Sequence, residues 1–496
     1  MIFGVFLKKI FIGLSIAFVS IVGTFSLYAV LTNPYNKFSF VQNPYSTEDK
    51  NGAIILNTNA SLSLATIPFA SFFAFCKSGF HLLTSRYFGS QPIHGKSLTE
   101  IIQKIHSQRF DPSKPYLISG DQFSMYYPRN LGIFYSAALD PRIALSQNDW
   151  ENRQKIYLQS VAYSLDAFSK YHDVSTTLVP VGPSTVTPIN IFAYPADTLY
   201  SILYGLKALQ TSDEITHTFP FDSHKNYSLQ TQLSAKTLLS TYHTSLHNLL
   251  ITYNKRVYDP TTGLVRKDIH LSSARDSVIR ESSFYDNVIY WKTVSLGNDL
   301  GILLTSKEDL DALKKRIIQN FWYDKGGYFL NDLSEESMQN KSYSSDWLIA
   351  VGTGFLTPTN PIDQQYLTQA ISFIQTNKID QPFPLKYQSA SNPNKEFGWV
   401  KTFIPSYGDN AIWSHWGIEY IKTLLLLYQT TKNQQYLTTA KYYLHIYTKN
   451  IVLYGGYPET YDNHGHFLQN FFYRSILING WVVNYEEAEA MLHATK

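Results

Sequence analysis

Ala411-Ile412-Trp413-Ser414-His415-Trp416-Gly417-Ile418-Glu419-Tyr420-Ile421-Lys422-Thr423-Leu424-Leu425-Leu426-Leu427-Tyr428-Gln429-Thr430 is the stretch on which the fold turns. Apolar residues recur at Ile412, Trp413, Trp416, Ile418, Tyr420, Ile421, Leu424, Leu425 and Tyr428, the i, i+3/i+4 spacing of a helix. They cover much of the girth rather than a single stripe. Such a helix is buried on more than one side, as in the inner ring of a double-layered helical barrel.

Only Thr431-Lys432 separates this helix from the next periodic segment, 434–447, and Thr305-Ser306 likewise separates 284–304 from 307–320. Further helical periodicity covers 150–170, 191–210, 230–253, 344–354, 364–376 and 476–493. Shorter candidates at 129–139 and 468–473 bring the number of helices to about twelve. Longer connections rich in Gly, Pro and Tyr (171–190, 258–281, 381–409 and 454–465) alternate with the short ones. Alternation of this kind predicts helical hairpins in a ring, their long loops gathered at one end. The expected fold is therefore all-α, an (α/α)6 barrel or six-hairpin toroid, over residues 97–496. No short-period repeat supports a solenoid.

Of the 496 residues 44% are hydrophobic, enough for a large core, and only 16% are charged. The 37 tyrosines offer flat faces with polar tips, suited either to helix packing or to carbohydrate. A net charge of +3 without a basic stripe gives nucleic-acid binding no support. One cysteine, Cys76, excludes an internal disulfide and a cysteine-built metal site.

Residues 10–32 are uncharged and mostly apolar, behind Lys8 and Lys9. As a helix they would span roughly 34 Å, enough for a hydrocarbon core of about 30 Å. With the lysines cytoplasmic, the rest of the chain is expected outside. The exit Ser26-Leu27-Tyr28-Ala29-Val30 is a poor cleavage site, so residues 1–32 are expected to be a cytoplasmic stub and an uncleaved transmembrane anchor. Residues 33–96 then form an N-terminal extension. Within it the uncharged stretch 51–76 reads better as buried strand or helix than as a second span.

Four stretches carry chemistry. In Gly120-Asp121-Gln122-Phe123-Ser124-Met125-Tyr126-Tyr127-Pro128-Arg129-Asn130, aromatic faces and bidentate polar groups could grip a sugar, or Arg129 and Asp121 could form a structural pair. In Arg280-Glu281-Ser282-Ser283-Phe284-Tyr285-Asp286-Asn287, acids crowd a helix entrance, with Arg275 and Asp276 just upstream. Helix capping is the plain alternative there. Tyr407-Gly408-Asp409-Asn410 leads into Trp413 and Trp416, placed on one helix face as core or as a sugar-stacking platform, with one of each expected. Gly455-Gly456-Tyr457-Pro458-Glu459-Thr460-Tyr461-Asp462-Asn463-His464-Gly465 is a tight loop that fixes Glu459 between two tyrosines.

These motifs resemble the six-hairpin glycosidase clan that includes trehalases and processing or debranching α-glucosidases. Glu281-Ser282-Ser283-Phe284-Tyr285-Asp286-Asn287 resembles the clan's ESGxDN-like motif with one residue inserted. Glu459-Thr460-Tyr461-Asp462-Asn463-His464-Gly465 resembles its C-terminal motif. Ile412-Trp413-Ser414-His415-Trp416 is similar to its IWP-containing helix entrance, with Ser414 in place of Pro, and Ser344-Ser345-Asp346-Trp347-Leu348 to a further helix start. The likeness runs as spaced motifs over residues 121–473. It implies inverting hydrolysis of α-glucosidic bonds in an oligo- or polysaccharide, with Asp286 as acid (Glu281 in reserve) and Glu459 as base. It also implies that Asp121, Tyr127, Arg129, Asn287, Asp346, Trp413, Trp416 and Tyr461 contact substrate, and that neither metal nor organic cofactor is needed. The alternatives are a polysaccharide lyase or glycoside phosphorylase on the same barrel, or a glycan-binding scaffold with a degenerate site.

Overall fold

The computed structural model describes residues 89–118, 120, 125–182, 184–216, 234–388 and 395–495. It also describes short pieces at 45–48, 54–56, 60–65 and 86–87, and the single residues 20 and 79. Ten long helices organise the described residues: α1 (Leu98–Arg109), α2 (Gln147–Tyr171), α3 (Thr198–Thr216), α4 (Ala235–Val257), α5 (Phe284–Asp299), α6 (Lys307–Phe321), α7 (Pro361–Thr376), α8 (Ser414–Thr431), α9 (Gln434–Tyr454) and α10 (Val482–His493). Two shorter segments complete the pattern: 3-10 turns at Pro128–Leu131 and Ser136–Leu139, and a short helical piece from Ser345 to Gly352.

These segments alternate between two rings. The inner ring runs from the 128–139 turns to α3, α5, 345–352, α8 and α10, each packing on the next, and α10 closes the circle against Ser136–Leu139 and Pro141–Ile143. Helices α1, α2, α4, α6, α7 and α9 form the outer layer. Helix α8 is buried on nearly all sides, from Trp416 and Ile418 through Ile421 and Leu424 to Leu427, as its all-round apolarity predicts. The outer helices open on side-chain caps: Ser97, Ser146, Ser234, Ser306, Asn360 and Asn433 each accept a backbone N–H of the first turn. Each such cap is worth about 1 kcal/mol.

Two short elements differ from expectation. Residues 468–473 are not helical, because the Asn470 side chain accepts the backbone N–H groups of Phe472 and Tyr473, both at 2.8 Å, and turns the chain. The remaining helix is α1, begun by a capping box between Ser97 and Glu100. The 129–139 segment is broken into 3-10 turns around Gly132. There a Cβ would stand 2.8 Å from the side chains of Tyr200 and Ser201, so only glycine lets the chain lie this close to α3.

The anchor expected at 10–32 lies, apart from Ser20, outside the described residues. Among the described residues no helix is long and apolar enough to cross a membrane. The described pieces of 51–76 are extended: Ile54–Leu56 pairs antiparallel with Ser46–Glu48, and Ser63–Leu64 pairs parallel with Thr185–Val186. Tyr45, buried, donates from Oη to Asp166 Oδ2 on α2 at 2.9 Å, so this part of the extension is packed on the barrel.

Candidate active site

Six connections lead from an outer to the next inner segment, and bridges between them stitch one end of the barrel together. Tyr126 bridges Leu178, Tyr194–Pro195 pairs with Leu271–Ser272, Ser283 bridges Asp332, Ser345 N donates to Tyr387 O, and Ile412–Trp413 pairs with Thr460–Tyr461. The functional side chains expected from the sequence sit on these connections or on the helix starts they feed.

Glu459 is held by backbone on both sides. Its N–H donates to Ile476 O at 2.9 Å, and its C=O accepts Ser414 N at 3.0 Å, at the first residue of α8. The carboxyl is almost fully buried. Trp413↔Thr460 register fixes this loop beside the α8 entrance, so the Glu459 position follows from a strand pair rather than from its own loop.

A second carboxyl, Asp276, belongs to the connection before α5. Arg129 Nη1 donates to Asp276 Oδ2 at 3.1 Å and to Ser273 O at 2.6 Å, Nη2 donates to Ser272 Oγ at 3.0 Å, and Nε stands 3.4 Å from Asp197 Oδ1. Burial pushes the Asp276 carboxyl above the usual carboxylate range, and Arg129 pulls against that rise. About a quarter of its side chain (27%) stays open to solvent, so a substrate can reach it. Tyr127 and Tyr407 are pushed above the ordinary tyrosine range first by burial, and the charges of Asp276 and Glu459 add to the rise. The two connections meet at the Tyr407-Gly408 turn: Gly408 O accepts Arg275 Nε next to Asp276, and Tyr407 O accepts Nε1 of Trp413, the strand partner of Thr460 next to Glu459.

Asp286 occupies a different position. It is the third residue of α5, whose N-cap is Ser283: Ser283 Oγ accepts Asp286 N at 3.0 Å and donates to Asp286 Oδ2 at 2.6 Å. Burial raises its pKa to about 6, against the pull of Arg280. Its charged neighbours are Arg280, Asp197 and Asp346, and Arg280 Nη1 meets Asp346 Oδ2 at 2.6 Å. Asp346 is thus half of a buried ion pair. Asn287 is fully buried, donating to Ser282 Oγ and Ser283 O and accepting Val265 N. Glu281 is exposed and lines a separate surface cleft with Glu335, Glu336 and Lys395. Asp121 lies outside the described residues.

The aromatic residues separate in the same way. Trp413 precedes α8 in the strand pair and so does not share a helix face with Trp416. It is 8% exposed, its Nε1 donates to Tyr407 O at 3.0 Å, and it meets the Tyr407 ring edge-on at 4.8 Å. Trp416, 1% exposed, packs among Phe134, Tyr285 and Tyr387. Tyr461 is fully buried against Phe383 and Tyr454. Tyr127 stands at the start of the Pro128–Leu131 turn that carries Arg129.

Sequence reasoning noted Asp276 only as part of a charge-dense stretch and gave no role to Asp197 or Tyr407. The available signal was that density itself: Arg275 and Arg280 turn inward, Arg275 Nε onto Gly408 O at 2.6 Å, while Asp276 between them remains accessible. Among the described residues no group of three or more His, Cys, Asp or Glu side chains is placed to hold a metal ion.

No family model matches the chain, and no curated protein matches it either. Solved structures do. A glucoamylase from Hormoconis resinae superimposes with a TM-score of 0.50 at 12% identity, covering 80% of this chain and 72% of that one. A glucoamylase from Saccharomycopsis fibuligera does so with a TM-score of 0.50 at 9% identity, covering 82% and 97%. A rhamnosidase from Klebsiella oxytoca with rhamnose bound gives 0.49 at 12% identity; the match covers 80% of this chain but 65%, just under two thirds, of that one. At such identities the likeness is one of fold: the barrel has the six-hairpin architecture of the two glucoamylases.

Proposed function

We propose that this protein hydrolyses glycosidic bonds of the α-glucosidic class, with Glu459 as general base and Asp276, rather than Asp286, as general acid. The observation that carries the reading is that the Tyr407-Gly408 turn ties the two carboxyl-bearing connections together: Gly408 O accepts Arg275 Nε beside Asp276, and Tyr407 O accepts Nε1 of Trp413, which pairs with Thr460 beside Glu459. Hydrolysis of an acetal needs one carboxyl to protonate the leaving oxygen and another to activate water across the ring. Asp276 suits the first task, since burial raises its pKa and favours the proton-bearing form. Glu459 suits the second, being fixed by backbone on both sides. Arg129 orients Asp276, and Tyr127, Tyr407 and Trp413 supply ring faces and hydroxyls to a sugar. Inversion requires the carboxyls about 6.5–9.5 Å apart, with room for the water.

The test is turnover on a panel of aryl glycosides, with the anomer of the first product read by NMR. Asp276→Asn and Glu459→Gln should each cost at least about a thousandfold in kcat, and the thermal midpoint should hold. Near-normal activity in Asp276→Asn with loss in Asp286→Asn would return the acid to Asp286. A first product that retains the anomeric configuration would end the inverting reading. The anchor is part of the same proposal and rests on sequence: residues 10–32 hold the barrel on the outer face of a membrane. Full-length protein should stay with membranes through a high-salt wash, whereas a chain beginning at Asn33 should not.

A further inference from the structure

Outside the pocket, the loop end carries a set of aromatic rings that the two-carboxyl reaction does not use. Phe192 stacks on Phe397 at 5.1 Å between centroids and 20° between planes, and on Trp399 at 5.8 Å and 9°. Trp399 is 50% exposed, an unusual state for a tryptophan whose ring is already held parallel to a neighbour. Phe192 has φ +66°, a left-handed conformation that a non-glycine residue adopts only against a steric penalty. Strain of this kind persists where the surroundings impose it and clusters at ligand-holding sites.

The rings are tied to the reacting carboxyl. Phe397 N donates to Ser277 O at 2.9 Å, one residue after Asp276, and Glu396 bridges Val278. The segment Gly398–Phe403 contributes to a small apolar cluster of Val400, Ile404, Leu468 and Tyr473, and Tyr407 packs against this cluster while its carbonyl accepts Trp413 Nε1 and that of Gly408 accepts Arg275 Nε, next to Asp276. A rigid path of a few residues therefore runs from the pocket wall to the exposed indole.

We infer that the Phe192–Phe397–Trp399 stack is a sugar-binding platform beyond the scissile bond, so that the preferred substrate is an oligo- or polysaccharide longer than a disaccharide. The inference rests on the glycosidase reading above. The chemistry is that of a preorganised flat ring: the stack fixes the indole, and its free face offers apolar area to the C–H face of a pyranose at little entropic cost. Polar side chains that would read a particular hydroxyl are not required. The platform therefore sets chain length more than sugar identity.

The test uses maltose to maltohexaose as probes, with full-length protein. In the Glu459→Gln background, affinity should rise with chain length, and adding Trp399→Ala should remove about tenfold of that gain at the longest probe. Trp399→Phe, which keeps a stacking face, should restore most of it. In the active background Trp399→Ala should lower kcat/KM for maltohexaose about tenfold more than for the aryl glycoside. Equal losses on both substrates, or no dependence on length in the parent protein, overturn the platform. Loss of binding to anionic phospholipid vesicles in Trp399→Ala, with oligosaccharide binding unchanged, would overturn it in favour of a membrane contact. If the aryl glycosides are not hydrolysed but Trp399-dependent, length-dependent binding remains, the platform stands and the hydrolytic reading falls. If hydrolysis is normal and no probe gains affinity with length, the reverse holds.

Discussion

Replacing His106 with Gln should flatten the pH dependence of stability on the alkaline side. His106 of α1 is buried and joins the two ends of the barrel: Nδ1 lies 3.2 Å from Asp149 Oδ1 on α2, and Nε2 lies 2.8 Å from Glu486 Oε2 on α10. Arg153, fully buried, completes the group at 3.0 Å from Asp149 Oδ2. Burial opposes the charge on His106, but Glu486 and Asp149 together outweigh it and push the pKa up to about 9, from 6.5. A folded-state pKa above the unfolded one means that the unfolded chain binds fewer protons between these values, so stability falls as pH rises. The contribution is fully present below about pH 6.5 and lost as pH passes through about 9. With 1.36 kcal/mol per unit, the rise corresponds to about 3 kcal/mol. Thermal midpoints measured from pH 6 to 9.5 should fall for the parent protein by several degrees more than for His106→Gln. At pH 6 the variant should be the less stable, because two largely buried carboxylates then lose their shared cation. Parallel curves for the two proteins across that window would refute the charged clasp.

Other expectations follow from the site and the core. Asp286→Asn should lower stability by about 1 kcal/mol through the α5 cap and leave aryl-glycoside turnover within an order of magnitude, as read by melting and steady-state kinetics. Trp416→Ala should destabilise by roughly 3–5 kcal/mol in denaturant titration, whereas Trp413→Ala should keep the fold and raise KM. Arg129→Gln should move the alkaline limb of the rate profile to higher pH. Arg129 holds the Asp276 pKa down, so without it the acid keeps its proton further up the scale. A limb shifted the other way would remove Asp276 from the role of proton donor.

Much of the barrel was legible locally. The girdle of apolar residues on α8, the short link between α8 and α9 and the Ser or Asn before each outer helix are properties of a few adjacent residues, and they report burial and capping without reference to the rest of the chain. The same locality explains the misplaced elements. Residues 468–473 carry an apolar pattern, but an Asn470 side chain that bonds to the backbone of Phe472 and Tyr473 decides the geometry, whereas the helix Leu98–Arg109 is opened by a capping box and buries Ile101, Ile102 and Ile105.

The site divides along the same line. Sequence by itself determined that acids and aromatics are concentrated in the connections before α5 and α10, and that Glu459 sits in a backbone-fixed loop. It pointed to Asp286, with Glu281 in reserve, and gave Asp276 no role. The proposed change of acid to Asp276 depends on Arg129, which reaches Asp276 at 3.1 Å from the first inner segment. It depends equally on Ser283, which takes up the Asp286 carboxyl at its own helix end. Likewise Trp413 and Trp416 are equivalent in a helical pattern, and only the pairing of Ile412–Trp413 with Thr460–Tyr461 sets Trp413 ahead of α8 while both rings stay buried. Helix formation and capping are settled within a turn or two of chain. Which carboxyl meets Arg129 is settled by closure of the ring, a contact between residues that no local spacing relates.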